Sequence, residues 1–163
     1  MVASVRTADA FAEELRSHGR RMTPQRRAVV DAIVELPGHP TVGDIHREAG
    51  ARLPHLSQRS VYQVVSDLVE FGEVEVLDLG FGASRIERTL EHHHHVVCNE
   101  CGRIDDVPAD FTHVTLPSGA DHGFVVDRTD VVFRGSCLEC APPDADGHQP
   151  PDTNEETHTD AST

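Results

Sequence analysis

The stretch SQRSVYQVVSDLVEFGEVEVLDLGFGASRIERTL, residues 57–90, changes its period in the middle. Up to Gly72 the apolar residues Val61, Val64, Val65, Leu68 and Val69 recur at helical spacing, with Ser57 as an N-cap and Gly72 as a stop. From Glu73 to Leu79, and again from Ser84 to Leu90, the apolar residues alternate as they do in strands. Gly80-Phe81-Gly82 supplies the turn between the two runs. Several helices followed by a β-hairpin make a winged-helix arrangement, so the other helices belong upstream.

Three such segments are found there. Thr7 to His18 reads as a helix with Phe11 and Leu15 inward and Gly19 as its stop. Thr23-Pro24 is an N-cap followed by a proline at the first helical position, and Ala28, Val29, Ala32, Ile33 and Leu36 follow until Pro37-Gly38. Thr41 caps a third, shorter helix containing Val42, Ile45 and Ala49. On the fourth helix Arg59, Ser60, Tyr62, Gln63 and Ser66 share the outer face, where they suit a reader of the DNA major groove. Taken alone, that face also fits the solvated side of a core helix.

Charge helps to decide between the two. The net charge of −14 argues against a nucleic-acid partner until its distribution is considered. Residues 1–70 hold nine Arg against nine Asp and Glu, and residues 71–163 carry the whole excess of acid. Within 16–27, Arg16, Arg20, Arg21, Arg26 and Arg27 stand with no acid among them, a local basic patch. Together with the hairpin, this patch favours double-stranded DNA. The stretch from Pro142 to Thr163 has six acids, four prolines and no large apolar residue, and is expected to be disordered.

The chain has four cysteines, in two pairs: Cys98 with Cys101, and Cys137 with Cys140. Two C-x2-C pairs can give four thiolates to one tetrahedral Zn2+. Disulfides would need an oxidising compartment, and the N-terminal MVASVRTADAFAEEL lacks the apolar core of a signal peptide. No run of 18 apolar residues is present, so no membrane span is expected and the location is read as cytoplasmic. From His92 onward the chain is β-rich, with strands expected over 92–98, 103–107, 113–116 and 123–133, forming a small α/β second domain. Pro108 and Pro117-Ser118-Gly119 leave little room for a long helix there.

His92-His93-His94-His95 precedes the first cysteine pair. In an extended strand alternate side chains share a face, so His93 and His95 project together and His92 and His94 point the other way. Two imidazoles on one face are half of a metal site. Fe2+ or Mn2+ would call for carboxylates as well, and Glu87, Asp105 and Asp106 are available on neighbouring strands. A solvated histidine cluster is the plain alternative, and on affinity alone such a site prefers Zn2+ or Cu2+.

The runs HHHHVVCNECGRIDDV and HGFVVDRTDVVFRGSCLEC, with GRRMTPQRRAVVDAI and SQRSVYQVVSDL before them, resemble the ferric uptake regulator (Fur) family over about residues 8–141. The second C-x2-C and the HGF segment are similar to the peroxide-responsive PerR and actinobacterial FurA-type branch. The resemblance implies an α+β chain: a winged-helix DNA-binding domain over 1–90, a small α/β dimerisation domain with a four-cysteine zinc site over 91–141, and the acidic tail. It implies structural Zn2+ on Cys98, Cys101, Cys137 and Cys140. It maps a regulatory Fe2+ or Mn2+ site onto His39, Glu87, His93, His95 and Asp106; of these, spacing alone does not point to His39. It also implies that Tyr62 touches bases, that Arg21 enters the minor groove and that Arg26 meets phosphate, with Arg59 and Gln63 beside them.

The function implied is that of a homodimeric, metal-dependent repressor, not an enzyme, acting on a palindromic operator of oxidative-stress or iron-homeostasis genes. Position 87 is Glu, as in iron-sensing members, where peroxide sensors typically have Asp. Thr129 stands where many members have a further histidine, leaving His92, His94 and His113 as candidates for an additional site. The helix usual between the cysteine pairs is shortened. The alternatives are an iron-uptake repressor without peroxide sensing, a zinc-responsive repressor, and, in a different class, a metalloenzyme using the His and carboxylate groups. Zinc sensing has no cysteine left for a thiolate-rich site, and no separate general base is evident for an enzyme.

Overall fold

The computed structural model describes residues 6–80 and 82–141. Phe81 of the expected turn and the acidic tail at 142–163 lie outside the described residues. Four helices come first: α1 (Ala8–Ser17), α2 (Pro24–Glu35), α3 (Val42–Arg52) and α4 (Gln58–Glu70). Each starts where a side-chain oxygen can satisfy a free backbone N–H. Thr7 accepts from Ala10, Thr23 from Arg26, Thr41 from Asp44 and Ser57 from Ser60. At α3 the Asp44 carboxylate also accepts from the Thr41 N–H, which completes a capping box.

The apolar stripes of the four helices meet in one core. Phe11, Leu15, Val29, Ile33, Ile45, Val61 and Leu68 have no solvent exposure, and Ile86 joins them from the hairpin. Burying side chains of this size contributes about 1.5–3 kcal/mol each before entropy is counted. One expected core position differs. Val69 is 39 % exposed and the charged Asp67 is 1 % exposed in its place.

The wing is β1 (Glu75–Leu77) and β2 (Arg85–Glu87), antiparallel with Val76 opposite Ile86. Both strands are shorter than the alternation suggested. The other edge of β2 meets the segment before α3, where the Ile86 N–H donates to Pro40 O and Thr41 bridges to Arg85. This pairing ties the turn after α2 to the wing. Gly38 in that turn has φ +59°, a left-handed conformation that costs a glycine nothing, and it sends His39 back toward the second sheet.

The second sheet is β3 (His94–Cys98) between β4 (Ile104–Val107), antiparallel, and β5 (Val132–Gly135), parallel. His95 pairs with Asp106 and Val97 with Ile104, so one face carries His95, Val97, Asp106 and Ile104 together. Residues 113–116 and 123–131, expected as strands, form turns and irregular chain, which meets β3 only at Val131. Both edges of β3 are already taken by β4 and β5, and Pro108 and Pro117 have no N–H to offer a ladder. Among the described residues of this part there is no helix, so the shortened helix between the cysteine pairs is reduced to turns. Phe124, Val125 and Leu138 are 78 %, 95 % and 96 % exposed on its surface. No helix among the described residues is long and apolar enough to cross a membrane.

Candidate metal centres and nucleic-acid face

Two groups of His, Cys, Asp and Glu converge among the described residues. The first is Cys98, Cys101, Cys137 and Cys140, all free thiols. Cys98 ends β3, and the Gly102 N–H returns to Cys98 O to make the tight turn that presents Cys101. Cys137 follows β5, and the N–H groups of Cys140 and Ala141 both donate to its carbonyl. Thiolates at about 2.3 Å from a tetrahedral Zn2+ stand about 3.8 Å from one another. Cys101 Sγ and Cys137 Sγ are 3.8 Å apart.

Backbone N–H groups around Cys98, those of Cys101 and Cys137 foremost, lower its thiol to about 6. Hydrogen bonds with Cys137 and Cys101, then burial, push Cys140 up to about 12. A set of sulfurs that holds its first negative charge easily and its last one badly is suited to a dication, which takes up all of them.

The second group is His39, Glu87, His93, His95 and Asp106, whose ligand atoms lie within 4.8 Å of one another. Glu87 Oε2 is the hub. It is 2.7 Å from His39 Nε2, 3.1 Å from His93 Nε2 and 3.4 Å from His95 Nε2. Asp106 Oδ1 is 3.1 Å from His39 Nε2 and 3.5 Å from His93 Nε2. Donors about 2.1 Å from a metal are about 3.0 Å apart when adjacent and about 4.2 Å apart when opposite, so the cluster has the size of a coordination shell. Three imidazoles and two carboxylates form a mixed set that suits Fe2+ or Mn2+ as well as Zn2+.

The surroundings orient the imidazoles for that task. His39 Nδ1 faces Ile104 O and His93 Nδ1 faces Glu91 O, at 3.3 and 2.7 Å. A carbonyl can only accept, so both Nδ1 atoms carry hydrogen and both Nε2 atoms point into the cluster.

Charge is shared accordingly. Burial opposes a charged Glu87, but the His39 hydrogen bond, the Thr89 N–H and the charges of His39 and His93 outweigh it and hold the carboxyl at about 2. Burial also opposes a charge on His39, yet the hydrogen bond and charge of Glu87, with Asp106 behind them, raise it. For His95 burial prevails and, with the charges of His93 and His39, lowers it.

Sequence spacing pointed to His93, His95 and three candidate carboxylates. In the structure Glu87 and Asp106 join the histidines, while Asp105 pairs with Arg103 instead. His39 arrives from the turn after α2, and only its neighbours Pro37-Gly38 hinted at a sharp return of the chain there. Sequence reasoning also missed Arg88 and Arg85. Arg88 donates to Ile33 O, Val34 O and Gly38 O, and Arg85 donates to His39 O. Both reach from β2 and the residue after it to the segment that carries His39.

His92, His94 and His113 belong to neither group, although His92 Nε2 lies 3.6 Å from Asp130 Oδ1. His92 Nε2 donates to Thr129 O, and His94 Nδ1 accepts the Val131 N–H. That acceptor role places hydrogen on His94 Nε2 and leaves no lone pair there for a metal.

Arg26, Arg59 and Gln63 line one groove between the starts of α2 and α4. Arg21 is exposed next to it, with its carbonyl held by Arg26 Nη1 at 2.8 Å. Tyr62 is 55 % exposed on α4. Arg27 is occupied by Asp9 and Asp31.

A family model described as "Ferric uptake regulator family" matches residues 17–133. The peroxide operon regulator of Bacillus subtilis (strain 168) is 32 % identical over 137 residues, covering 79 % of this chain and 90 % of that protein. The transcriptional regulator FurA of Mycobacterium tuberculosis (strain ATCC 25618 / H37Rv) is 32 % identical over 142 residues, covering 86 % and 96 %. The solved structure of the Helicobacter pylori ferric uptake regulator Fur shares the fold at a TM-score of 0.66 and 22 % identity, over 83 % of this chain and 95 % of that one.

Proposed function

The chain belongs to the ferric uptake regulator family, and from that premise we propose that it is a metal-dependent transcriptional repressor of oxidative-stress or iron-homeostasis genes. Fe2+ or Mn2+ is its regulatory cation and Zn2+ its structural one. Repressors of this family bind DNA and form dimers. In this reading the protein acts in the cytoplasm as a homodimer on a palindromic operator. Arg21, Arg26, Arg59, Tyr62 and Gln63 face the DNA. The exposed apolar residues Phe124 and Val125, between β4 and β5, and Leu138, after β5, support a subunit interface in this second part of the chain.

One observation carries the proposal: the five ligands of the second cluster come from three parts of the chain. His39 belongs to the helical part, Glu87 to the wing, and His93, His95 and Asp106 to the second sheet. A divalent cation supplies two positive charges to two carboxylates and three neutral imidazoles. The residues themselves do the rest. Glu91 O and Ile104 O hold the rings in the ligating tautomer, and β2 holds His39 against the sheet. Ligands fixed this way join the helical part to the second sheet at one angle, and in a dimer that angle sets the distance between the two α4 helices.

Cation and DNA then favour the same state, and each raises the affinity for the other by the same factor, about 5–150-fold for a coupling of about 1–3 kcal/mol. Glu at position 87 favours a second reading within the class, an iron-responsive repressor that is insensitive to peroxide.

The test uses the zinc-loaded full chain and a duplex that the Mn2+-loaded protein selects from a random library. Mn2+ or Fe2+ is expected to tighten binding at least tenfold in the wild type and not at all in His93→Ala. Binding that ignores added cation refutes the proposal. Peroxide treatment of the Fe2+ form, with mass spectrometry of His39, His93 and His95, separates the two readings: an added oxygen favours peroxide sensing, and its absence favours iron sensing alone.

A further inference from the structure

We propose that Asp67 is a positioning residue that sets the sequence specificity of the DNA-reading face by holding Gln63, Arg20 and Arg26 from beneath; this rests on the reading that α4 and its neighbours meet DNA. Asp67 lies on α4 but points inward and is 1 % exposed. Its Oδ1 accepts from Gln63 Nε2 at 3.0 Å and lies 3.1 Å from Arg20 Nη2. Its Oδ2 is 3.6 Å from Arg26 Nη2 and has no hydrogen-bond partner among the described residues. Arg26 in turn holds the Arg21 carbonyl, so one buried carboxylate stands behind two polar residues of the groove and, through Arg26, behind Arg21.

For raw affinity this charge is misplaced. A carboxylate beneath a basic patch weakens its attraction for every phosphate, whatever the sequence. Burying an ion pair also brings little net stability compared with apolar packing, while fixing one arrangement is its better-attested use. The arrangement fixed here matters for base reading. A carboxylate only accepts, so it turns the Gln63 amide nitrogen inward at one N–H. The amide oxygen and the second N–H remain for a base edge, the pair that a glutamine uses to read adenine. Arg26, in the groove with Thr23 and Ser57, lies 3.6 Å from the same carboxylate and donates to Arg21 O. The carboxylate thus gives up general affinity and sharpens the choice of sequence.

The test compares wild type with Asp67→Asn in the Mn2+-loaded full chain. The probes are the library-selected duplex and a scrambled duplex of equal length and composition. The expected result is at least a tenfold fall in the ratio of the two affinities. Binding to the scrambled duplex is unchanged or tighter, and Mn2+ affinity is unchanged. A merely structural role would weaken both duplexes equally, so a ratio within twofold of the wild type overturns the proposal. If Asp67→Asn does not fold, the double variant Asp67→Asn/Arg20→Gln, which removes the nearest cation along with the charge, carries the same comparison. Tyr62→Ala, outside the network, tests the premise. If it binds both duplexes as the wild type does, α4 is not the reader and the proposal falls with that reading. If it loses discrimination while Asp67→Asn keeps it, only the proposal fails.

Discussion

Replacing Arg88 with methionine should loosen both the end of α2 and the regulatory site. Helix α2 does not close with a left-handed residue. Its C-cap Leu36 is extended, with φ −68° and ψ 132°; the Leu36 N–H still donates to Ala32 O, but Pro37 after it has no N–H to return, so the left-handed closing bonds are missing. Arg88 Nη1 takes their place at 3.0 Å from Ile33 O and 2.9 Å from Val34 O, and Nη2 reaches Gly38 O at 3.0 Å. Methionine fills much of the same space and offers no donor. Two part-buried carbonyls lose their partner at about 1–3 kcal/mol each, with the lower half expected because water reaches them in part. Loss of a cation at the helix C-terminus adds about 0.3–1 kcal/mol. The total is about 2–5 kcal/mol, to be read from urea unfolding of the zinc-loaded protein. The third bond bears on function, because Gly38 precedes His39. Loss of outer-shell support of this kind costs about 10–100-fold in metal affinity. Calorimetric titration with Mn2+ measures it. Arg88→Lys has one ammonium for three carbonyls and should fall between the two. A loss of stability with Mn2+ affinity unchanged would show that Arg88 only caps the helix and does not place His39.

Two further predictions concern local chemistry. The Asp44 carboxyl is held below its ordinary value of 3.8 by the Thr41 hydroxyl first; burial opposes this, and the Thr41 N–H and Arg47 add to the lowering. Its stabilising contribution is therefore present above that value and is lost as pH falls below it. Asp44→Asn should cost about 1 kcal/mol near neutral pH, and the difference should vanish in acid unfolding curves. A gap that stays constant across pH would remove the charge from the account. Cys98→Ser should release zinc, measured by elemental analysis, and dissociate the dimer, measured by sedimentation. A dimer that survives without zinc would mean that the cysteine site does not hold the second sheet.

How much of this was legible in advance depended on the range of the interaction. Capping threonines, the Gly72 stop and the change of period at residue 73 act within a few residues, and they placed the four helices and the wing. The strand-face rule paired His93 with His95 for the same reason. Residues 113–116 and 123–133 fit a strand by alternation, which reports which residues would suit a strand. It does not report whether a partner edge is free, and β4 and β5 already occupy both sides of β3. His39 depends on contacts 48 and 65 residues away, with Glu87 and the Ile104 carbonyl, and no local pattern encodes these.

Asp67 is the most instructive case, because a sign of it was present in the sequence. Helical spacing assigned Val69 to the core and passed over the acid two positions earlier. Yet five arginines in residues 16–27 stand without a single local acid, and arginines that must pack near one another need a counter-charge from somewhere. The fourth helix offers only Asp67 and Glu70 for that purpose, and Asp67 lies four residues from Gln63, on the adjacent turn. The structure places Arg20 and Arg26 on that carboxylate. A basic patch is therefore half of a description. The buried group that neutralises part of it determines how far the patch acts as a general attractor for phosphate and how far as a reader of sequence.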